Sequence, residues 1–99
     1  MAAATLRVRL ADHEATLEPG QVVTVGRHRA SMLRSSHERV SRFHAVVRGE
    51  ADRWVFEDVG SMNGSFLDAE RITRLEIDRS IAIRLGDRRT GPILELHVG

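Results

Sequence analysis

Three polar side chains spaced along this 99-residue chain could together hold an anion carried on a peptide. Arg27 follows Gly26 at the end of an apolar run, and Ser41 opens the segment Ser41-Arg42-Phe43-His44-Ala45. Asn63 lies in Gly60-Ser61-Met62-Asn63-Gly64-Ser65. A guanidinium is planar and presents paired N–H donors, so Arg27 could fork onto a phosphate. The Ser41 hydroxyl can donate to an anion, and an asparagine in a turn can turn its amide outward to grip a peptide backbone. Each residue also has a plainer use. Exposed arginines are usually just solvated, with Gly26 supplying an unusual backbone angle. A serine at a loop–strand junction is often a turn or cap residue, and Asn-Gly is a common turn. Nothing local separates the two uses.

Charge adds weight to the anion site. All fifteen basic residues are arginine. Residues 27–48 hold six of them (Arg27, Arg29, Arg34, Arg39, Arg42 and Arg48) against one acid, Glu38, giving that segment +5 and the rest of the chain −4 of a net +1. Arginine suits phosphate better than lysine does. A solvated basic face would show the same count, and it is the motifs falling inside the segment that tip the balance.

Other chemistries find little support. The chain has no cysteine, which excludes disulfides, thiolate metal sites and a cysteine nucleophile. His13, His28, His37, His44 and His97 are dispersed without metal-ligand spacing, so no metal or other cofactor is expected. Gly60-Ser61-Met62-Asn63-Gly64 is not a nucleophile elbow, since its serine is not central. Phosphate-binding Gly-rich loops and the zinc-protease motif are absent. Glu57-Asp58 and Asp12…Glu14 read as solvated charge. The basic segment contains one aromatic, Phe43, so there is no stacking platform for single-stranded nucleic acid. In an extended segment Phe43 and His44 point to opposite faces, and Phe43 shares its face with Ala45 and Val47, which predicts it buried. His44, beside apolar residues, is expected to be a buried histidine tying loops together through its two ring nitrogens.

The elements that must carry these residues are short strands and turns. Leu6, Val8 and Leu10 alternate with Arg7 and Arg9. Pro19-Gly20 marks a turn, and Val22, Val23 and Val25 lead into Gly26. Residues 28–41 read as loop, with a short strand near Met32-Leu33. Strands are predicted at His44–Val47, Trp54–Phe56, Ile81–Leu85 and Leu94–Val98, with turns at Gly49–Asp52 and Gly91-Pro92. Phe66-Leu67 and Arg71-Ile72 could flank a hairpin through Asp68-Ala69-Glu70. The best helical stretch, Ala69–Leu75, is too short to stand alone. Many short strands with regular turns argue for an all-β sandwich or barrel.

The length makes residues 1–99 one domain, large enough to bury a core unaided, since disulfides or metals are needed below about 40 residues. Met1 to Thr5 and Gly99 read as frayed ends, and the close of the last strand at the chain end reads as a domain cut from a longer protein. No apolar run approaches the roughly 20 residues of a membrane span, and no signal peptide is visible, so a cytoplasmic place is expected and direct membrane insertion is not.

Together Gly26-Arg27, Ser41-Arg42-Phe43-His44-Ala45 and Gly60–Ser65 resemble the signature of the forkhead-associated (FHA) domain, and the resemblance runs from Thr5 to Val98. Trp54–Asp58 is similar to the family's strand before the Asn-Gly loop, and Phe66–Ile72 to its following hairpin, where many members have Asn-Gly in place of Asp68-Ala69. The resemblance implies a sandwich of two antiparallel sheets with about eleven short strands, binding loops at one end, and phosphothreonine recognition without catalysis. It implies phosphate contacts from Arg27, Ser41 and Arg42, and a peptide-backbone contact from Asn63. Ser61 and Met62 would shape a pocket for the threonine methyl, Arg39 would read a residue after the phosphothreonine, and Gly26, His44 and Gly64 would be architectural. The chain departs from the family at residues 28–39, which are rich in arginine, serine and histidine, at Met62, and at Ser65 where threonine is common. Gly86–Pro92 and the lack of lysine look most like FHA modules of actinobacterial ABC-transporter proteins. The implied partner is then a threonine phosphorylated by a serine/threonine kinase, on the kinase itself or in the parent protein's own linker. The alternatives are an FHA-like domain acting as a phospho-independent structural or protein-interaction module, a basic nucleic-acid binder, and, last, a hydrolase for which no nucleophile–base pair can be named.

Overall fold

Alternating apolar residues build the strands at the centre of the molecule. The computed structural model describes residues 5–99, so the fraying expected of Met1–Ala4 lies outside the described residues. Eleven strands follow in chain order: β1 (Leu6–Leu10), β2 (His13–Leu17), β3 (Val22–Gly26), β4 (Leu33–Arg34), β5 (Ala45–Glu50), β6 (Arg53–Asp58), β7 (Ser65–Leu67), β8 (Glu70–Ile72), β9 (Arg74–Ile77), β10 (Ile81–Leu85) and β11 (Ile93–Val98). They form a six-stranded sheet of order β2-β1-β11-β10-β7-β8 and a five-stranded sheet of order β4-β3-β5-β6-β9. This is the all-β, two-sheet architecture the sequence implies, with one departure. β4 pairs with β3 in parallel, Val25 opposite Leu33 and Gly26 opposite Arg34. Residues 27–32 fold back on themselves, so β4 leaves in the direction in which β3 arrived.

Leu6, Val8, Leu10, Ile83, Leu85, Leu94 and Leu96 from one sheet form a single buried cluster with Val23, Val25, Val47, Trp54 and Phe56 from the other. Each such side chain contributes about 1.5–3 kcal/mol through burial, which fixes strand register and therefore loop position. Thr5 and Gly99 are joined by a backbone bond of 3.4 Å, so these two ends are tied to each other.

Four expectations change. The hairpin between Phe66-Leu67 and Arg71-Ile72 forms, but its turn contracts from Asp68-Ala69-Glu70 to Asp68-Ala69, which take positive φ (50° and 68°), with Glu70 already in β8; β9 then pairs with β6. Two positive φ values are what a type I′ hairpin requires. The turn placed at Gly49–Asp52 contracts to Ala51-Asp52, because Gly49 and Glu50 still pair with Trp54 and Arg53. Phe43 is 65% exposed, not buried. The chain bends through Ser41–Phe43 and β5 begins only at Ala45, so the face alternation assumed for Phe43 does not apply; His44 and Ala45 are both buried. Gly26, finally, has no positive φ. Its role is close approach: a Cβ there would stand 2.1 Å from the Arg42 carbonyl oxygen.

Antiparallel pairing of β3 with β5 and of β5 with β6 brings the end of β3, the start of β5 and the end of β6 to one end of the five-stranded sheet. Pairing of β10 with β7 brings the start of β7 and the end of β10 together. The loops holding residues 27–32, 35–44, 59–64 and 86–92 therefore meet, and hydrogen bonds join them: Arg27 N–H to the Ser41 carbonyl at 2.9 Å, and Gly86 N–H to the Gly64 carbonyl at 2.8 Å.

Candidate functional site

A ladder of backbone bonds sets Arg27 beside Ser41. His44 N–H reaches the Val25 carbonyl (3.0 Å), Arg27 N–H the Ser41 carbonyl, and His28 N–H the Arg42 carbonyl (3.1 Å). The bare Gly26 allows this approach. Arg27 is then fixed by its own side chain, whose Nε donates to the Val40 carbonyl at 2.6 Å. Val40 is part of the core, so its carbonyl is a rigid anchor. The terminal guanidinium nitrogens have no partner among the described residues.

Ser41 is placed by two loops at once. Its N–H donates to His44 Nδ1 at 3.1 Å, and its Oγ accepts from Met62 N–H at 3.0 Å. A hydroxyl that accepts one bond still has its proton to give. Ser41 thus keeps a donor, in the residue whose carbonyl holds the Arg27 amide, with no acceptor for it among the described residues. Asn63 Nδ2 donates to the Arg39 carbonyl at 3.0 Å, which fixes the amide while its Oδ1 and second N–H stay unpaired among the described residues. The Arg39 N–H is held by His37 Nδ1 at 3.2 Å, while its side chain is exposed. Arg42 is also exposed, and it lines an open depression with Arg27, His28, Arg29 and Arg34. Met62 is 84% exposed, and Ser61 is buried. The Ser61 hydroxyl is spent inside the loop, donating to Asp58 Oδ2 at 2.5 Å and accepting from Gly64 N–H at 3.0 Å, so Ser61 shapes the loop from within. Gly64, at φ 92°, makes the turn that returns the chain to β7.

His44 is fully buried beneath these loops, as its sequence context predicts. Its Nδ1 accepts from Ser41, so the proton sits on Nε2, which donates to the Gly64 carbonyl at 2.9 Å and lies 3.2 Å from Ser65 Oγ. Asp58 is the partner that composition missed. It is not solvated charge: its side chain is 7% exposed and accepts from Gly60 N–H (3.0 Å), Ser61 N–H (2.7 Å), Ser61 Oγ and Ser65 Oγ (2.7 Å). The available signal was an aspartate two residues before a glycine and three before a serine, the spacing of a side chain capping its own turn. Asp58 Oδ2 also lies 3.8 Å from His44 Nε2.

This brings a serine, a histidine and an aspartate together, but not as a catalytic triad. Ser65 is fully buried and gives its proton to Asp58. The histidine lone pair is taken by the Ser41 amide, so His44 has no free site at which to accept a proton from a nucleophile.

Burial pushes the His44 pKa below its ordinary 6.5, against the upward pull of Asp58 and the Gly64 carbonyl. Burial pushes Asp58 up, but the Ser61 hydroxyl and amide, the Ser65 hydroxyl and His44 outweigh it, and its pKa lies below 3.8. A lowered histidine pKa means that the unfolded chain takes up the proton first. His44 therefore contributes full stability above pH 6.5, and this is lost as the pH falls from 6.5 through the folded-state value. Asp58 adds a second loss as the pH falls below 3.8 toward its own folded-state value. Thermal melts across pH should show the first decline in the wild type and a weaker one in His44→Gln. A melting temperature that rose as the pH dropped below 6.5 would contradict this placement of His44.

Comparison with known proteins finds relatives of the same fold. A family model described as FHA domain matches residues 23–88. The chain is 35% identical over 94 residues, 95% of its length, to the ABC transporter ATP-binding/permease protein Rv1747 of Mycobacterium tuberculosis, of which it spans 11%. The crystal structure of the Rv1747 FHA-1 domain from that organism superposes with a TM-score of 0.90 at 35% identity, covering 99% of both chains. A domain solved in a structural and functional analysis of phosphothreonine-dependent FHA domain interactions shares the fold (TM-score 0.80, 20% identity, 96% of this chain and 97% of that one). So does Mycobacterium tuberculosis EmbR in complex with a low-affinity phosphopeptide (TM-score 0.79, 22% identity, 97% of this chain and 25% of that one).

Proposed function

The chain belongs to the forkhead-associated domain family, and from that premise we propose that its loop end binds peptides carrying phosphothreonine. One observation carries the proposal. Arg27 and Ser41 are joined through their backbones, the Arg27 guanidinium is anchored to the Val40 carbonyl and the Ser41 hydroxyl to the Met62 amide, and their remaining donors are unpaired among the described residues. A phosphate monoester carries about −1.5 to −2 charge at neutral pH and three acceptor oxygens. Such a group takes up these donors, with Arg42 adding charge from the same side. Asn63 holds the peptide backbone through its free Oδ1 and N–H, and the Ser61–Met62 turn supplies the surface against which the threonine methyl packs. Arg39 reads a residue further along the peptide.

The domain works as a binding module and not as an enzyme, consistent with the occupied His44 and the buried Ser65. Its partner is a protein phosphorylated by a serine/threonine kinase, either the kinase or a linker of the parent protein. Among the described residues no helix is long and apolar enough to cross a membrane. By its relation to Rv1747 the chain would be the cytosolic regulatory domain of an ABC transporter.

The test is direct titration with one peptide in three forms: phosphothreonine, phosphoserine and unphosphorylated threonine. The phosphothreonine form should bind tightest. Losing a methyl contact worth about 0.8 kcal/mol should weaken the phosphoserine form roughly fourfold. Equal affinity for the two phosphopeptides would remove the methyl pocket. The phospho-independent alternative draws on one observation, that Phe43 and Met62 are apolar and exposed at the same end. It predicts equal binding of the unphosphorylated peptide.

A further inference from the structure

The loop end carries more unmatched positive charge than one phosphothreonine neutralises. Arg27, His28, Arg29, Arg34 and Arg42 line an open depression of about 330 Å³. Its wall therefore holds four guanidiniums, always protonated in proteins, and no carboxylate. Arg48 pairs with Glu50 and Glu57, Arg53 with Asp52 and Glu76, and Arg74 with Glu50, while other exposed arginines have no acid partner among the described residues; what sets the depression apart is that four converge on one hollow with no acid in its lining. Among the described residues, none of the four in the depression pairs with an acid.

The wall is also built. Arg34 Nε donates to the Arg27 carbonyl at 3.0 Å, and β4 holds Arg34 opposite Gly26. His28 Nδ1 accepts from Ala30 N–H at 3.0 Å, and its ring stacks on Phe43 with centroids 5.0 Å apart. That contact gives the exposed Phe43 a role as a brace for the wall. With Nδ1 accepting, the neutral His28 ring carries its proton on Nε2 as one more donor.

Charge sets what fits. One phosphate at Arg27 and Ser41 supplies at most about −2, which leaves roughly +2 of the four arginines unanswered. We propose that the depression is a second anion subsite that receives another phosphoryl group on the same peptide. Arg29 and Arg34 are its own residues, and Arg27 and Arg42 are shared with the first phosphate. This rests on the phosphothreonine reading and specifies it: the preferred ligand is a doubly phosphorylated segment.

The test is titration at fixed ionic strength with three peptide sets. One has a single phosphothreonine. In the second, a phosphoserine is walked through the positions on either side of it, and in the third a glutamate is walked through the same positions. At one register the doubly phosphorylated peptide should bind at least about tenfold tighter than the single one, the size of one added charge-assisted contact. Arg29→Gln and Arg34→Gln should each bring that ratio toward one, while holding single-phosphate affinity within about twofold and the melting temperature near wild type. A ratio of one at every register, with single-phosphate binding intact, would overturn the second subsite and leave the first. A gain from glutamate as large as from phosphoserine would overturn the assignment to a phosphoryl group. Variants that weaken both peptides equally would reduce the two arginines to general attraction, which also overturns it. Failure of every phosphopeptide to bind would remove the phosphothreonine reading and this inference with it.

Discussion

Replacing Arg27 with alanine should weaken phosphothreonine-peptide binding roughly thirtyfold in a domain that stays folded. A charge-assisted hydrogen bond contributes about 1.5–3 kcal/mol, and 1.4 kcal/mol is a factor of ten. The structure shows why the effect should concentrate in one side chain. Arg27 is locked by its Nε bond to Val40, a core residue, so its remaining donors are aimed before the ligand arrives. A pre-aimed donor loses little freedom on binding. Its own cost to the fold is one exposed side chain and one bond to a carbonyl, about 1 kcal/mol. Arg27→Lys restores charge without the fork and should recover only part of the loss. Isothermal titration of the three proteins, with thermal melts alongside, decides the matter. A folded Arg27→Ala protein with wild-type affinity would remove Arg27 from the site.

His44→Ala should do the reverse, costing stability first. The ring is fully buried and bonded to the Ser41 amide, the Gly64 carbonyl and Ser65. Truncation leaves a cavity and strands buried polar groups, each worth about 1–3 kcal/mol. A total near 3 kcal/mol is expected, a large share of the roughly 5–15 kcal/mol that holds a domain folded. For a domain of this size that corresponds to a fall in melting temperature of about 12–24 °C. Below the transition, affinity should drop less than in Arg27→Ala, because no ligand contact is removed. An unchanged melt with lost affinity would mean that His44 acts on the ligand and not on the loops.

The loop-end residues were picked out in the sequence by the resemblance of Gly26-Arg27, Ser41–Ala45 and Gly60–Ser65 to a family signature, because no local signal separated binding from plain turn use. What the structure adds is why the glycines are there: Gly26 must admit the Arg42 carbonyl, and Gly64, between Asn63 and β7, must take a positive φ. Strands with a partner on each side also declared themselves: β1, β10 and β11 alternate because one face of each is core. Edge strands did not. In β2 only Leu17 is fully buried, so nothing in His13–Leu17 alternates strongly enough to be seen. β9 lies at the edge of its sheet and is mostly exposed, so it gave no signal, whereas the β7–β8 hairpin was marked by Phe66-Leu67 and Arg71-Ile72. Asp58 was hidden for another reason. A carboxylate next to Glu57 looks solvated, and only the turn that folds over it shows that four donors converge on it. Phe43 failed on parity, since one bend before β5 is enough to turn a side chain from core to solvent.

The decisive measurement is titration of the domain with a degenerate phosphothreonine peptide library, with the unphosphorylated library as control. Binding should require the phosphate, and the selected peptides should carry further negative charge beside the phosphothreonine, matching the arginines of residues 27–42. Binding of both libraries alike, or of neither, would contradict phosphothreonine recognition and leave a phospho-independent structural or interaction domain in its place.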